Sequence, residues 1–220
     1  MSTSGPEASF YFDLNSPLAY LAAERALHEL PGPARWRPIL AASLPGAQGF
    51  DSFRCRDEEE IFRAELQRRA DELGVQPLRW PRRFPFDSTL AMCAATYAAS
   101  IGRGVPFAQA AFRQAFAGGR DLEQLDNVLI AAAACEMHPN AVKAALARAA
   151  PARELHEATA RAAQHGVRDV PAVTVAGRVF EGERALARAA ALMPETSQHN
   201  GPARDPRADP SAAALAGRRR

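Results

Sequence analysis

Alternation of apolar and polar positions divides the first forty residues into strand, helix and strand. Residues 8–14 form an apolar, aromatic run and predict a strand. Residues 17–30 place leucine and alanine at helical spacing and predict an amphipathic helix that stops at Pro31-Gly32-Pro33. Residues 34–40 predict a second strand, with Trp36 and Ile39 on opposite faces because strand side chains alternate.

A long helical region follows a loop at residues 41–56. Acids near the start, arginines near the end and Gly74 as a stop predict a helix over 57–73. Residues 75–85, rich in Pro, Arg and Trp, read as an extended connector. Capping residues and prolines then predict five more helices, at 89–101, 106–116, 121–135, 138–149 and 151–164.

The last ordered part reads as a hairpin with a covering helix. A strand begins after Pro171, turns at Ala176-Gly177 and pairs with a short strand around Val179-Phe180, ahead of a helix over 182–192. This order gives a four-stranded mixed sheet and an α/β class: a thioredoxin fold with a helical insertion.

The predicted organisation has three parts. Residues 8–40 and 166–193 together form a thioredoxin-like domain, and residues 57–165 form a helical insertion subdomain that covers one end of its sheet. Beyond Pro194 the composition shifts to Ser, Pro, Asn, Gly, Ala and Arg, so residues 195–220 are predicted to be a disordered tail.

Composition narrows the possible partners and the compartment. The chain has 220 residues and a formal net charge of +2, which disfavours a dedicated nucleic-acid surface. No apolar run reaches the roughly 18 residues of a membrane span, and no signal peptide is visible. Cys55, Cys93 and Cys135 form neither a Cys-x-x-Cys pair nor a zinc pattern, and the histidines lack ligand spacing. We therefore expect a cytoplasmic protein without a metal site.

The junction between the first strand and helix carries the candidate chemistry. Ser16 lies at the N-cap position and Pro17 at the first helical position, where an N–H is not needed. A hydroxyl is thereby placed at the positive end of a helix, which favours an anion such as a thiolate. In isolation, a Ser-Pro pair more often only starts a helix.

Several motifs together carry a resemblance that spans about residues 8–193. They are the aromatic run and Ser-Pro at 10–20, Arg37-Pro38-Ile39-Leu40, Leu73-Gly74-Val75, Phe84-Pro85 with Ser88-Thr89-Leu90, Gly166-Val167 with Val170-Pro171, and Phe180 with Gly182. In these motifs the chain resembles the 2-hydroxychromene-2-carboxylate isomerase and kappa-class glutathione transferase group. That group lies in the disulfide-oxidoreductase-like branch of the thioredoxin superfamily.

The resemblance implies a site that borrows its thiol from glutathione. Ser16 matches the serine that replaces the first cysteine of the redox relatives, and its implied catalytic role is to donate a hydrogen bond to the glutathione sulfur. The backbone of Val170, ahead of a cis Pro171, is implied to pair with the cysteinyl part of the cofactor. By register, the γ-glutamyl end would meet the segment 181–184, which comprises Glu181, Gly182, Glu183 and Arg184.

The resemblance also implies a reaction and a partner. The bound thiolate would add reversibly to a small apolar or aromatic electrophile, allow a bond to rotate, and leave again. A homodimer is implied as well. Gly46 stands where the isomerases usually carry a lysine, residues 49–54 replace an Asn-x-Pro-Pro-like stretch, and Arg184 follows Glu183 where an aspartate is usual. Three alternatives stay open: a kappa-like transferase or peroxidase, a non-catalytic thiol-binding protein, and a different low-molecular-weight thiol as the cofactor.

Overall fold

A computed structural model describes residues 7–45 and 53–194. Strand β1 (Ala8–Phe12), helix α1 (Pro17–Glu29) and strand β2 (Ala34–Pro38) come first, followed by a 3-10 turn at Ala41–Ser43. The helical region comprises α2 (Arg56–Glu72), α3 (Thr89–Ser100), α4 (Gly104–Phe116), α5 (Leu125–Ala133), α6 (Pro139–Leu146) and α7 (Ala149–Gln164). Strands β3 (Ala172–Val175) and β4 (Arg178–Glu181) and helix α8 (Ala185–Ala190) end the described chain.

The four strands form one mixed sheet in the order β2-β1-β3-β4. β1 is parallel to β2 and antiparallel to β3, and β3 is antiparallel to β4. Phe10 in β1 stands opposite Trp36 on one side and Val173 on the other. The hairpin turns at Ala176 and Gly177, both at positive φ (50° and 73°), the conformation that two-residue hairpin turns require. The predicted thioredoxin fold with its mixed sheet is confirmed.

Each face of the sheet packs against its own helices. On one face Phe10, Phe12 and Trp36 form an aromatic cluster, and Phe12 meets Phe112 of α4 with ring centroids 5.8 Å apart. On the other face Tyr11 and Ile39 pack with α7. Trp36 and Ile39 therefore lie on opposite faces, as the alternation predicts, and helices cover both sides of β1 and β2.

Several element boundaries differ from the predicted ones for local reasons. α4 begins at Gly104, before Pro106, because a proline is tolerated anywhere in a helix's first turn, where N–H groups lack intrahelical partners. α5 begins at Leu125, since the carboxylate of Asp121 instead accepts from Glu123 N (2.9 Å) in a separate turn. The C-terminal helix is shorter than predicted and spans Ala185–Ala190.

The helical region packs directly on the sheet. α3 contacts α4, α6 and α7, and both α3 and α7 contact β2. Its description as a separate subdomain stays a prediction.

Gly46, residues 49–52 and the tail 195–220 lie outside the described residues. Among residues 7–45 and 53–194, no helix has the length and apolar character of a membrane span.

Candidate functional site at the N-terminus of the first helix

Ser16 caps α1 and faces a cavity. Its Oγ accepts a hydrogen bond from Ala19 N at 3.1 Å, and Pro17 is the first helical residue, as predicted. The same hydroxyl makes a long contact with the carbonyl oxygen of Val170 at 3.5 Å. Ser16 is half-buried, so its oxygen is neither sealed in the core nor turned away from the segment that precedes Pro171.

The cavity beside Ser16 has a volume of about 830 Å³. Four chain segments that are far apart in sequence line it, together with Asp13 and Phe62: residues 15–18, 40–43, 84–89 and 168–170. One wall is apolar and includes Leu18, Phe62 and Phe84. The cavity is large enough for a small-molecule ligand, because such sites span roughly 300–1,000 Å³.

Val170 and Pro171 lie beside Ser16. The peptide bond between them is cis, and Val170 borders the cavity. The Val170 N–H donates to Oδ1 of Asp169 at 2.7 Å, and its carbonyl faces Ser16. The resemblance assigns the Val170 backbone to a cofactor. In this structure its N–H contacts the neighbouring Asp169 side chain, and its carbonyl oxygen lies 3.5 Å from the Ser16 hydroxyl.

The four residues predicted to hold the γ-glutamyl end make other contacts. Oε1 of Glu181 accepts from the backbone N–H groups of Arg168 and Asp169 at 2.5 and 3.1 Å, and so holds the loop ahead of Val170. Gly182 donates its N–H to Pro171 O at 2.9 Å. Residues 181–184 do not line the cavity beside Ser16.

Glu183 and Arg184 are both exposed at the start of α8. Glu183 pairs with Arg69 of α2 at 2.8 Å, and Arg184 is the N-terminal flanking residue of α8. Arg69 also lines a second cavity of about 820 Å³, which shares Leu18 and Phe62 with the first. Glu183 is thus paired with an arginine on a helix that is far away in sequence.

A buried aspartate beside the cavity accepts hydrogen bonds from three of the segments that surround it. Asp13 is 3% exposed; its carboxylate accepts from Asn15 N at 3.0 Å and Ala41 N at 2.9 Å, and Ser88 also hydrogen-bonds to it. Burial raises the pKa of Asp13, and these hydrogen bonds oppose the rise only in part. One side chain thereby ties the loop before α1 to the end of β2 and the start of α3.

Sequence reasoning missed three parts of the site. Asn15 lines the cavity, and its Oδ1 accepts from Phe86 N at 3.2 Å. The segment 84–89 forms a wall of the cavity, whereas in the sequence Phe84-Pro85 is only one of the motifs that carry the resemblance. Asp169 approaches from the other side, where burial and the nearby charge of Glu181 raise its pKa. No signal in the sequence shows that these segments meet.

The charges and thiols around the cavity limit its chemistry. Asp13, Asp87 and Asp169 are the acids among its described lining residues, and Arg168 is the one cation there. All three cysteines are described and none lines this cavity; Cys93 and Cys135 are buried, and burial raises the pKa of both thiols. Within the described ranges, no group of three or more His, Cys, Asp or Glu side chains is placed to hold a metal ion.

Comparisons with known proteins agree with this fold. The sequence matches the family profile described as a DSBA-like thioredoxin domain over residues 8–193. A 2-hydroxychromene-2-carboxylate isomerase structure superimposes with a TM-score of 0.73 at 21% identity, over 84% of this chain and 93% of that one. No curated protein matches the sequence significantly.

Two further structures are similar in fold. A probable DsbA oxidoreductase from Streptomyces coelicolor gives a TM-score of 0.65 at 19% identity, over 84% of this chain and 87% of that one. A putative protein disulfide isomerase from Nitrosomonas europaea gives 0.62 at 16% identity, over 84% and 95%. At these identities the structural similarity establishes the fold alone.

Proposed function

This chain belongs to the family of DSBA-like thioredoxin domains, and we propose that it is an enzyme of that family which works with a bound glutathione. Its similar structures include both an isomerase and oxidoreductases. The proposed activity is that of a glutathione-dependent isomerase of the 2-hydroxychromene-2-carboxylate type. The observation that carries the proposal is the Ser16 hydroxyl, which faces the cavity at the N-terminus of α1 and lies 3.5 Å from Val170 O.

The absence of a thiol at the helix start favours a borrowed one. Disulfide exchange needs a thiolate that attacks sulfur, and the stretch Ser16-Pro17-Leu18-Ala19 offers none. Cys93 and Cys135 are buried, and Cys55 lines the second cavity. Thiol chemistry at Ser16 would therefore need a thiol that arrives with a ligand.

The helix start can stabilise such a thiolate. The Ser16 hydroxyl can turn from Val170 O to donate to the sulfur, and the Leu18 N–H has no acceptor among the described residues. A hydrogen bond to a charged group contributes about 1.5–3 kcal/mol and a helix N-terminus about 0.3–1 kcal/mol. Together these lower a thiol pKa of about 8.5 by about one to three units, which makes thiolate abundant at neutral pH.

The remaining cofactor contacts follow the strand that precedes Pro171. We propose that the cysteinyl part of glutathione pairs with the backbone of Val170 and displaces the Asp169 carboxylate from its N–H. The γ-glutamyl end would then pass Leu18 toward Gly182 and the pair of Glu183 with Arg69, which lies beside the second cavity. Both an acid and a guanidinium are available there for an amino-acid head group.

The substrate we propose is a small apolar or aromatic electrophile that lies against Leu18, Phe62 and Phe84. The thiolate adds to an activated double bond, the new single bond rotates, and elimination restores the thiolate and yields the isomer. Apolar contact with these side chains supplies binding energy, since about 25 cal/mol is gained per Å² of apolar surface buried. The protein acts by positioning the two reactants and by stabilising charge.

Thiolate absorbance tests the role of Ser16. Glutathione is titrated with base in the presence of excess protein, and the ultraviolet band of the thiolate gives the pKa of the bound thiol. We expect Ser16→Ala to raise that pKa by about one to two units, since it removes one charge-assisted hydrogen bond. Ser100→Ala is the matched control, because that hydroxyl is at the end of α3 and donates to Tyr97 O.

An unchanged thiol pKa in Ser16→Ala would contradict the proposed role of Ser16. Two further outcomes would identify the alternative functions. Thiolate formation with rapid conjugation of a general electrophile, but no isomerisation, would favour a kappa-like transferase or peroxidase. No heat and no thermal stabilisation at millimolar glutathione would favour a non-catalytic protein, a reading supported by the internal contacts of Glu181 and Val170.

A further inference from the structure

The side-chain amide of Asn15 has a defined orientation. Its Oδ1 accepts from the backbone N–H of Phe86 at 3.2 Å, and a backbone N–H can pair only with the oxygen end of the amide. Its own backbone N–H is held by Asp13 Oδ1 at 3.0 Å. The first contact joins the amide to a segment far away in sequence, and the second holds the Asn15 backbone to a neighbour in the same loop, so the direction of the amide is set by the fold.

The nitrogen end of this amide has two donors and no acceptor among the described residues. Asn15 is half-buried and lines the same cavity as its neighbour Ser16. A donor that is partly withdrawn from water and unpaired within the protein forms a stronger hydrogen bond with a ligand than an exposed donor does. The acceptor that fits is an oxygen that carries negative charge inside the cavity.

We propose that Asn15 is the oxyanion donor of the site: its Nδ2 donates a hydrogen bond to the substrate oxygen that becomes negative when the thiolate adds. This inference rests on the proposed function and names the group that stabilises its intermediate. In the addition, a sulfur lone pair forms the C–S bond, and the electrons of the double bond move to the conjugated carbonyl, which becomes an enolate. Elimination returns the electrons, breaks the C–S bond and restores the thiolate, so no proton changes place.

Several other polar groups of the cavity are less suited to this task. Asp87 and Asp169 bear carboxylates that repel an oxyanion, and the Ser88 hydroxyl is already bonded to Asp13. Arg168 is exposed, where water screens its charge. Asn15 is the neutral donor next to Ser16, which places it within reach of a substrate attached to the sulfur.

The test uses 4-nitrophenol, an aromatic oxyanion whose phenolate is yellow and whose phenol is colourless. It is titrated into the full chain without glutathione, and absorbance gives the affinity for each form. We expect the wild type to bind the phenolate at least about tenfold more tightly than the phenol, since a single oxyanion donor contributes about 10²–10³-fold in enzymes where it is fully engaged.

Two variants distinguish the loss of the Nδ2 donors from the effect of added negative charge and from a folding defect. Asn15→Asp keeps an oxygen for Phe86 N–H and removes the donors, whereas Asn15→Leu removes the donors without adding charge. Both are expected to lose the preference for phenolate. Asn140→Asp makes the same substitution at an exposed amide in α6 and should keep it.

The outcomes distinguish this inference from the proposed function. Phenolate preference that persists in Asn15→Leu, or that is missing in the wild type, overturns the role of Asn15. A loss of glutathione thiolate in Asn15→Asp, with phenolate binding intact, also overturns it, because Asn15 would then serve the cofactor. Phenolate binding can depend on Asn15 while the thiol of glutathione bound to the wild type keeps its ordinary pKa. That result supports the oxyanion site and refutes the thiolate role of Ser16.

Discussion

Thr159 connects the helical region to the wall of the cavity through one buried hydroxyl. The residue lies on α7 and is 4% exposed. Its Oγ1 accepts from the backbone N–H of Leu40 at 3.0 Å and donates to Leu155 O at 2.8 Å. Leu40 follows β2 and lines the cavity, so this contact sets where that wall stands.

Replacing this hydroxyl leaves a buried donor without an acceptor. Thr159→Val keeps the shape of the side chain but takes away the partner of Leu40 N–H, and such an unsatisfied group costs about 1–3 kcal/mol. For a protein of this size each kcal/mol shifts the melting temperature by about 2–4 °C, so we expect a decrease of about 2–12 °C. Thr159→Ser keeps the hydroxyl and loses one methyl group, worth about 0.8 kcal/mol.

Urea denaturation followed by circular dichroism measures both variants. The transition midpoint should fall more for Thr159→Val than for Thr159→Ser, with the same dependence on urea concentration in both. A valine variant within about 0.5 kcal/mol of the wild type, the range of ordinary surface substitutions, would refute the argument. So would a serine variant that is the less stable of the two.

Two further predictions concern the acids of the cavity. Burial raises the pKa of the Asp13 carboxyl above its ordinary 3.8. The folded protein therefore binds the carboxyl proton more tightly than the unfolded chain does. The contribution of Asp13 to the free energy of unfolding consequently falls as pH rises through the raised pKa. Urea denaturation at a series of pH values should therefore show this slope in the wild type and lack it in Asp13→Asn; parallel profiles would contradict it. Asp169→Ala frees the N–H of Val170, so calorimetric titration should show glutathione binding several-fold more tightly, and weaker binding would show that the carboxylate itself holds the ligand.

The helices and strands of the fold follow from short-range patterns, so the sequence alone predicts them. Pro17 and Ser16 start α1 through contacts within one helical turn, as the capping bond to Ala19 shows. Alternation along β2 and the residue that follows it places Trp36 and Ile39 on opposite faces, because extended backbone requires it. The observed helix starts differ from the predicted ones where a residue such as Asp121 resembles a cap but belongs to a separate turn.

The surroundings of the site depend on where distant segments return. Asn15 looks like a loop residue until Phe86 N–H is seen to orient its amide. Glu183 looks like an isolated acid until Arg69 of α2 is seen to pair with it. Each of these pairs is separated by dozens of residues, and no periodicity in either segment encodes the other's position.

The chain's local chemistry thus determined the strands, the helix start at Ser16 and the lack of a thiol there. Only the tertiary structure decided which groups meet around the cavity: Glu181 bonds to the 168–169 backbone, Asp13 is buried, and Asn15 accepts from Phe86 while its nitrogen has no acceptor among the described residues. The reason is physical. Backbone conformation responds to neighbours within a few residues, whereas a side chain's partner, and the water it loses, depend on packing between segments that meet only when the whole chain has folded.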